Sequence, residues 1–458
     1  MITLTLAEIA EVTGGTLHDV PDPEARVTAP SAVDSRDVVP GGMFVAVGGA
    51  RVDGHDYVPQ AVAAGAVCVL ATRPVAAPAV VVDDVIAALG DLARHVLART
   101  SATVVALTGS AGKTTTKDLL AQVLARHGET VATERSFNGE LGLPLTVLRA
   151  DTSTRFLVLE MGARHIGDIA YLTTLTPPKV GIVLNVGSAH VGEFGSQEAI
   201  AKAKSELVQA LPASGEGGVA VLNADDRLVA AMAEQTTAQI LTYGTGDEAT
   251  IRATDVSQID GRAAFTLRTP TGTAPVTLQL LGLHQVHNAL AVAGAAHAVG
   301  MNAADIAQAL TEAKPLSAGR LELIERPDGV TIINDAFNAN AESMRAALHT
   351  LTTLANGRRT IAVLGEMREL GETAKAAHTE IGDLVADLGL DVLITVGTGP
   401  NINALTNTTT GSTPRIKNAE TPEALLPLLN DLLRPGDTVL IKASRSVGLE
   451  NFADLLRT

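Results

Sequence analysis

Four short apolar runs, "TVVALTG", "RFLVLEMG", "VGIVLNVG" and "GVAVLNAD", recur between residues 103 and 225. Each is apolar at consecutive rather than alternate positions, so each predicts a strand covered on both faces. Such strands form parallel sheets flanked by helices. A second series, "TIAVLGE", "DVLITVG" and "DTVLIKAS", follows residue 319 and alternates with helical stretches such as "TAKAAHTEIGDLVADLG". Ahead of both, "MFVAVGG", "AVCVLAT" and "AVVVDD" enclose the helical "YVPQAVAAGA". The pattern predicts an α/β chain of three domains: a small leading α/β domain (1–98), a central parallel-sheet domain (99–315) and a Rossmann-like α/β domain (316–458). The 458 residues have room for about three domains at roughly 150 residues each. Open sheets of this kind bind ligands in crevices at the carboxyl ends of their strands. The polar stretch "NALTNTTTGSTP" predicts an exposed loop.

The chain carries a net charge of −16, no Trp and only 2% aromatic residues. That argues against wrapping a nucleic-acid backbone or stacking bases, which need clustered cations and rings. No apolar run approaches the ~20 residues of a membrane span. The start, "MITLTLAEIAEVTGG", does not read as a signal peptide, and the single cysteine, Cys68, cannot form an internal disulfide. Both fit a cytoplasmic setting.

"TGSAGKTT" stands between a strand and a helix, the context a phosphate loop requires. Gly109 and Gly112 let the backbone approach an anion, and the helix amino terminus presents free N–H groups. Lys113 supplies positive charge and Thr114 a hydroxyl for magnesium. The loop is shortened, because Leu107 stands where the standard loop has its first glycine. Glu160 ends the apolar strand of "LVLEMGARHIGDI", where a carboxylate can hold magnesium near the phosphates; alone, such an acid is more often solvated or a helix cap. His190 leaves another strand in "NVGSAHVGEFGS". Lys204, in "IAKAKSEL", has the pattern of an exposed lysine on an amphipathic helix. It could ligate a cation only as a carbamate formed with carbon dioxide. Asn288 is as readily a cap as a reader of an adenine edge. Arg320 and Asp335 could reach a nucleotide across an interdomain cleft, and a surface salt bridge explains either equally well.

Taken in order, these stretches resemble the Mur ligase family, the ATP-dependent amide ligases of peptidoglycan precursor synthesis. The likeness covers nearly the whole chain. "DSRDVVPGGMFVAVGGARVDGHDYVPQAVAAGA" is similar to the family's UDP-binding leading domain, and "TGSAGKTTTK" to its phosphate loop. "EMGARHIGDI", "AHVGEFGS", "AKAKSEL", "NADD", "GRLE", "NDAFNAN" and "KASRS" follow in place. The stretches "SFNGELGLPLTVL", "GEMRELGE" and "KASRSVGLE" resemble most the branch whose substrates are UDP-N-acetylmuramoyl-tripeptide and D-alanyl-D-alanine. The alternative is the branch that adds the third stem amino acid, which "EMGARH" disfavours.

The resemblance implies ATP and Mg2+ as cofactors and roles for particular residues. Thr108, Gly109, Ser110, Ala111, Gly112, Lys113 and Thr114 would hold the ATP phosphates. Thr114, Glu160, His190 and a carbamylated Lys204 would bind magnesium, with Lys113, Lys204 and His190 catalytic. Asn288 would recognise adenine, and Arg320 and Asp335 would contact phosphates and ribose. Ser35, Arg36 and Asn138 would face the UDP substrate; Lys442, Ser444 and Arg445 would lie near the dipeptide. The chain departs from the family pattern at Phe337, where Tyr is common, at Ala443, where Gly is common, at Gln285, where Asn is usual, and at Gly139 after Asn138. The expected protein is a cytoplasmic monomer whose third domain closes over bound ATP.

Overall fold

The computed structural model describes residues 1–49, 52–188, 191–407 and 414–456. His190 and the middle of the Thr/Asn-rich stretch, residues 408–413, lie outside them.

Among the described residues the central sheet has nine strands. Their order is Gly272–Leu281, Arg262–Thr269, Ile251–Ile259, Gln239–Gly244, Val219–Asn223, Val180–Val183, Thr103–Thr108, Phe156–Glu160 and Thr130–Ala132. From Thr130–Ala132 to Ile251–Ile259 every pairing is parallel. The strand Thr103–Thr108 is buried beyond its first residue, as its unbroken apolar run dictates. Helices cover both faces, among them Lys113–Ala125 and the small-residue helix Gln285–Ala298. The other edge is an antiparallel meander over residues 251–281 that the sequence reading does not anticipate. Its strands alternate buried and exposed positions, so they lack the continuous apolar signature of their parallel neighbours.

The last sheet runs Glu322–Glu325, Thr331–Asn334, Thr438–Lys442, Thr360–Gly365, Val392–Val396 and Arg415–Ala419, antiparallel only at Glu322–Glu325. The leading region holds a four-stranded sheet, Thr16–His18, Ala79–Val81, Cys68–Ala71 and Met43–Val45, with a two-stranded ribbon, Leu4–Thr5 and Arg26–Val27. One apolar cluster continues from Leu6, Leu89 and Leu92 of the leading region into Leu143, Leu157 and Ile169 of the central one. The helix Val85–Ala98 makes that join, and it approaches Leu175 so closely that a Cβ at Gly90 would stand 2.9 Å from its Cδ2. Burying leucines of this kind stabilises by about 1.5–3 kcal/mol each. The leading region is therefore packed onto the central one as a continuous core.

Candidate active site

Strand register brings the chemistry to one edge. Leu107 pairs with Glu160 and Thr108 with Val183, so the phosphate loop and the Glu160 carboxylate leave the sheet side by side. The loop-bearing strand lies between Phe156–Glu160, on the side that ends at Thr130–Ala132, and Val180–Val183, from which the chain winds toward the other edge; the winding reverses there, at the switch point where open sheets bind ligands. Because the strand persists through Thr108, the position of the missing glycine, Leu107, is still inside the sheet, and the turn itself spans 109–112. This is the physical reason the loop is short.

Gly112 adopts φ +80 at the helix N-cap, and a Cβ there would come within 2.5 Å of Asn288 Oδ1. Both facts require glycine. The helix begins at Lys113 and its first intrahelical bond is from Thr116 N to Gly112 O, which leaves the amides of residues 113–115 ahead of the ladder and available to an anion. Asn185 braces the turn: its Oδ1 accepts from Ser110 N (3.0 Å) and Ala111 N (2.8 Å), and its Nδ2 donates to Ala111 O (3.1 Å). Gly187 N donates to Ser110 Oγ at 2.9 Å. Sequence reasoning passed over Asn185; its signal is an asparagine at the end of the strand next to the loop. Lys113 Nζ donates to Gly109 O at 2.7 Å, folding the side chain over the turn. Burial lowers its amine, and Arg320 nearby adds to this, against the opposing pull of Glu160.

Glu160 is 1% exposed. Its Oε1 accepts from Asn138 Nδ2 at 2.8 Å, while its Oε2 is buried without a hydrogen-bond partner. A buried carboxylate oxygen left unpaired is costly unless a cation meets it. The side chains therefore fit a hard divalent ion: a carboxylate, the Thr114 hydroxyl and phosphate oxygens are the donor types magnesium takes. Among the described residues there is no cluster of three or more His, Cys, Asp or Glu, so the ligand and water would supply most of the sphere.

Lys204 departs from the expectation of an exposed lysine. It is 5% exposed, lines the same cleft, and among the described residues has no hydrogen-bond or ion-pair partner. Burial, and secondarily Lys113, pushes its amine well below the usual lysine range. The side chain lines the cleft beside the phosphate loop, and its surroundings disfavour the ammonium form.

The cleft, about 1270 Å³, is walled by residues 110–115, Asn138, Glu160 and Lys204 on the central side and by Arg320, Phe337, Ser444 and Arg445 on the other. Arg320 and Arg445 both lie over the Phe337 ring, at 4.1 and 5.5 Å from its centroid. Asn340 Nδ2 reaches Ser110 O (3.4 Å) and Glu342 accepts from Ser188 N (2.9 Å), so the last region touches the loop directly.

Other expected site residues lie elsewhere. Thr108 is buried at the end of the strand beneath the turn, and Gly109, the first residue of the turn, sits against Leu184. Asn288 lies beneath the loop and donates to Gln285 Oε1 at 2.8 Å, so its amide is engaged within the protein. Lys442 and Asp335, expected near the dipeptide and the nucleotide, engage one another. They stand at the ends of adjacent strands (Asn334 pairs with Ile441) and form a buried pair of 2.5 Å, with Lys442 also donating to Asn338 O and Asp335 accepting from Leu321 N. Neither lines the cleft. Ser35 and Arg36 stand apart in the leading region, Ser35 donating to Gln60 and Arg36 pairing with Asp34. Their loop is tied to the Asn138 loop by Arg135 and Asp37 at 3.0 Å.

Comparison with known proteins identifies the family. The Mur ligase family catalytic domain matches residues 32–97, the Mur ligase middle domain 107–296, and the Mur ligase glutamate ligase domain 319–445. The UDP-N-acetylmuramoyl-tripeptide–D-alanyl-D-alanine ligase of Mycobacterium tuberculosis is 46% identical, over 100% of this chain and 98% of its own. A crystal structure of MurF from Acinetobacter baumannii superposes with a TM-score of 0.87 at 33% identity, covering 100% of both chains. The MurF ligase of Thermotoga maritima in complex with ADP superposes at 0.79 and 30% identity, over 94% of this chain and 97% of that one. With a phosphate loop at the switch point, an acid beside it and full-length likeness to these enzymes, the chain belongs to the Mur ligase family.

Proposed function

We propose that the protein is an ATP-dependent amide ligase that joins D-alanyl-D-alanine to the carboxyl end of UDP-N-acetylmuramoyl-tripeptide. The names of its full-length relatives support this acceptor over a single amino acid. The observation that carries the chemistry is the meeting, in one cleft, of the phosphate loop, Lys113 and the half-paired Glu160.

Forming an amide from a carboxylate needs a leaving group. A tripeptide carboxylate oxygen attacks the terminal phosphorus of ATP, the bond to ADP breaks, and an acyl phosphate results. The dipeptide amine then attacks the acyl carbon, the C–O bond breaks and phosphate departs. The 113–115 amides and Lys113 hold the transferring group, which is positioning and electrostatics rather than covalent work by the protein. Arg320 and Arg445 offer planar donors to oxyanions from the opposite wall. Magnesium, held by Glu160 and Thr114, would neutralise charge on the phosphoryl group. Lys204 would join the set as a carbamate: its neutral amine adds to the carbon of carbon dioxide and loses a proton, leaving an anionic ligand. Burial disfavours the ammonium form, and the addition requires the unprotonated amine.

One chain supplies every residue named, so a monomer suffices, and the UDP-linked and ATP substrates fit the cytoplasm. Among the described residues no helix is long and apolar enough to cross a membrane. The reading is tested by a phosphate-release assay with UDP-N-acetylmuramoyl-tripeptide, ATP and D-alanyl-D-alanine, omitting each in turn. Release must require all three. Release without the dipeptide, or equal release with single amino acids, would refute it.

A further inference from the structure

The phosphate-loop helix carries Thr114, Asp118, Gln122 and, at its C-cap, Arg126 at intervals of four, which places them in one stripe. Each meets the segment leaving the central region, taken in reverse order. Arg126 pairs with Glu312. Gln122 bonds reciprocally with the Lys314 backbone, Nε2 to O and N to Oε1, both at 2.9 Å. Ser317 Oγ donates to Asp118 Oδ2 at 2.6 Å. Arg320 Nη2 reaches Thr114 Oγ1 at 3.4 Å. The Asp118 carboxylate is held in turn by the buried Lys117 ammonium at 2.7 Å.

Immediately beyond Ser317 the attachments change sides. Gly319 N donates to Glu322 Oε2 (3.2 Å), Phe337 N donates to Gly319 O (3.3 Å), and Leu321 N donates to Asp335 Oδ1 (3.1 Å). All three partners belong to the last region. Gly319 and Leu321 have φ of +68 and +51, so the chain turns sharply there through a conformation leucine rarely takes. Ala318 alone separates Ser317, the last residue of the clasp, from residues whose main chain is bound to the last region; beyond it only the Arg320 side chain reaches back to the helix.

We infer that Asp118, acting through Ser317, is a positioning residue that confines the pivot of the last region to residues 317–319 and so holds Arg320 over the phosphate loop. This rests on the ligase reading above. A linker clasped as far as Ser317 leaves rotation only about the bonds flanking Ala318. Motion of the last region then becomes a swing that carries Arg320 toward or away from Thr114. Without the clasp, residues 312–319 become a longer tether, and the guanidinium loses its fixed approach to the transferring group.

Removing Asp118 would strand the buried Lys117, so Ser317→Ala is the clean variant and Ser317→Thr, which keeps the hydroxyl, the control. Spin labels on cysteines introduced at Thr174 and Lys375 report the distance between the regions, Cys68 being buried. With the β,γ-methylene analogue of ATP, the distance distribution of Ser317→Ala is expected to be about twice as wide as wild type, and its kcat about 10-fold lower, while calorimetry gives a Kd for UDP-N-acetylmuramoyl-tripeptide within about twofold. Ser317→Thr restores both width and kcat. An unbroadened distribution in Ser317→Ala overturns the inference, as does a loss of turnover that threonine fails to restore. Failure of the ligase reading would show separately, as absence of amide product from the wild type, and the label distances would still report the pivot.

Discussion

On the central wall of the cleft the reactive groups are fixed by main chain: Asn185 braces the turn, Gly112 admits the close approach of Asn288, and Lys113 folds onto Gly109 O. On the opposite wall two guanidinium groups rest on one aromatic ring, and the Arg320 Nε is buried without a partner. The phosphate turn at the centre of the first wall is built by contiguous sequence, strand to turn to helix. The second is assembled from residues more than a hundred positions apart and is held largely by stacking and by the buried Asp335–Lys442 pair beneath. A preformed phosphate seat facing a cationic wall carried by a separate region suits a reaction in which one side seats the nucleotide and the other completes the site.

The sharpest way to break this contrast is at Lys113. Lys113→Ala is expected to lower kcat about 10³-fold while leaving the Kd for the UDP substrate near wild type, since that ligand's expected loop lies in the leading region. Near-normal ligation would remove the central wall from the chemistry. Lys204→Ala should lose a similar or slightly smaller factor and regain part of it with small carboxylic acids, read by the phosphate-release assay; full activity of the variant would discard the carbamate. Glu160→Gln keeps a carbonyl for Asn138 but removes the charge. It should cost about 10²-fold and raise the magnesium concentration needed for half-maximal rate. On the other wall the effects shrink: Phe337→Ala removes two cation–π contacts of about 0.5–2 kcal/mol each and should slow turnover several-fold, whereas Phe337→Tyr should be silent. A Phe337→Ala loss as large as that of Lys113→Ala would erase the distinction between the walls.

A further expected effect is on stability and leaves turnover aside. Burial pushes the His284 imidazole down to about 4, with Lys442 and His287 adding to this against Asp335. The folded state therefore holds His284 neutral where the unfolded chain would protonate it. Its contribution is complete above the unfolded value near 6.5 and is lost as pH falls from there toward 4. Melting curves across that window should flatten in His284→Gln relative to wild type.

How much of this was legible depended on how local each feature is. The phosphate loop could be read because strand, turn and helix are adjacent in the chain, and Glu160 because an acid ends an unbroken apolar run. Lys204 could not. The helix Gln197–Gln209 has the amphipathic pattern of a solvated surface, and its burial follows from packing beneath the cleft. That Asp335 and Lys442 pair with one another could not be read either, since the contact depends on the parallel register of strands about a hundred residues apart. The meander over 251–281 escaped because alternation with threonine and charge hides half-buried strands that a continuous run would reveal.

The central claim is that the terminal phosphoryl group of ATP passes from the 109–114 turn to the tripeptide carboxylate. Synthesising UDP-N-acetylmuramoyl-tripeptide with oxygen-18 in its terminal carboxylate tests this most directly. If the acyl phosphate forms and is cleaved at the acyl carbon, the inorganic phosphate released with each amide carries one labelled oxygen, detectable by the phosphorus-31 isotope shift. Unlabelled phosphate accompanying amide product would contradict it.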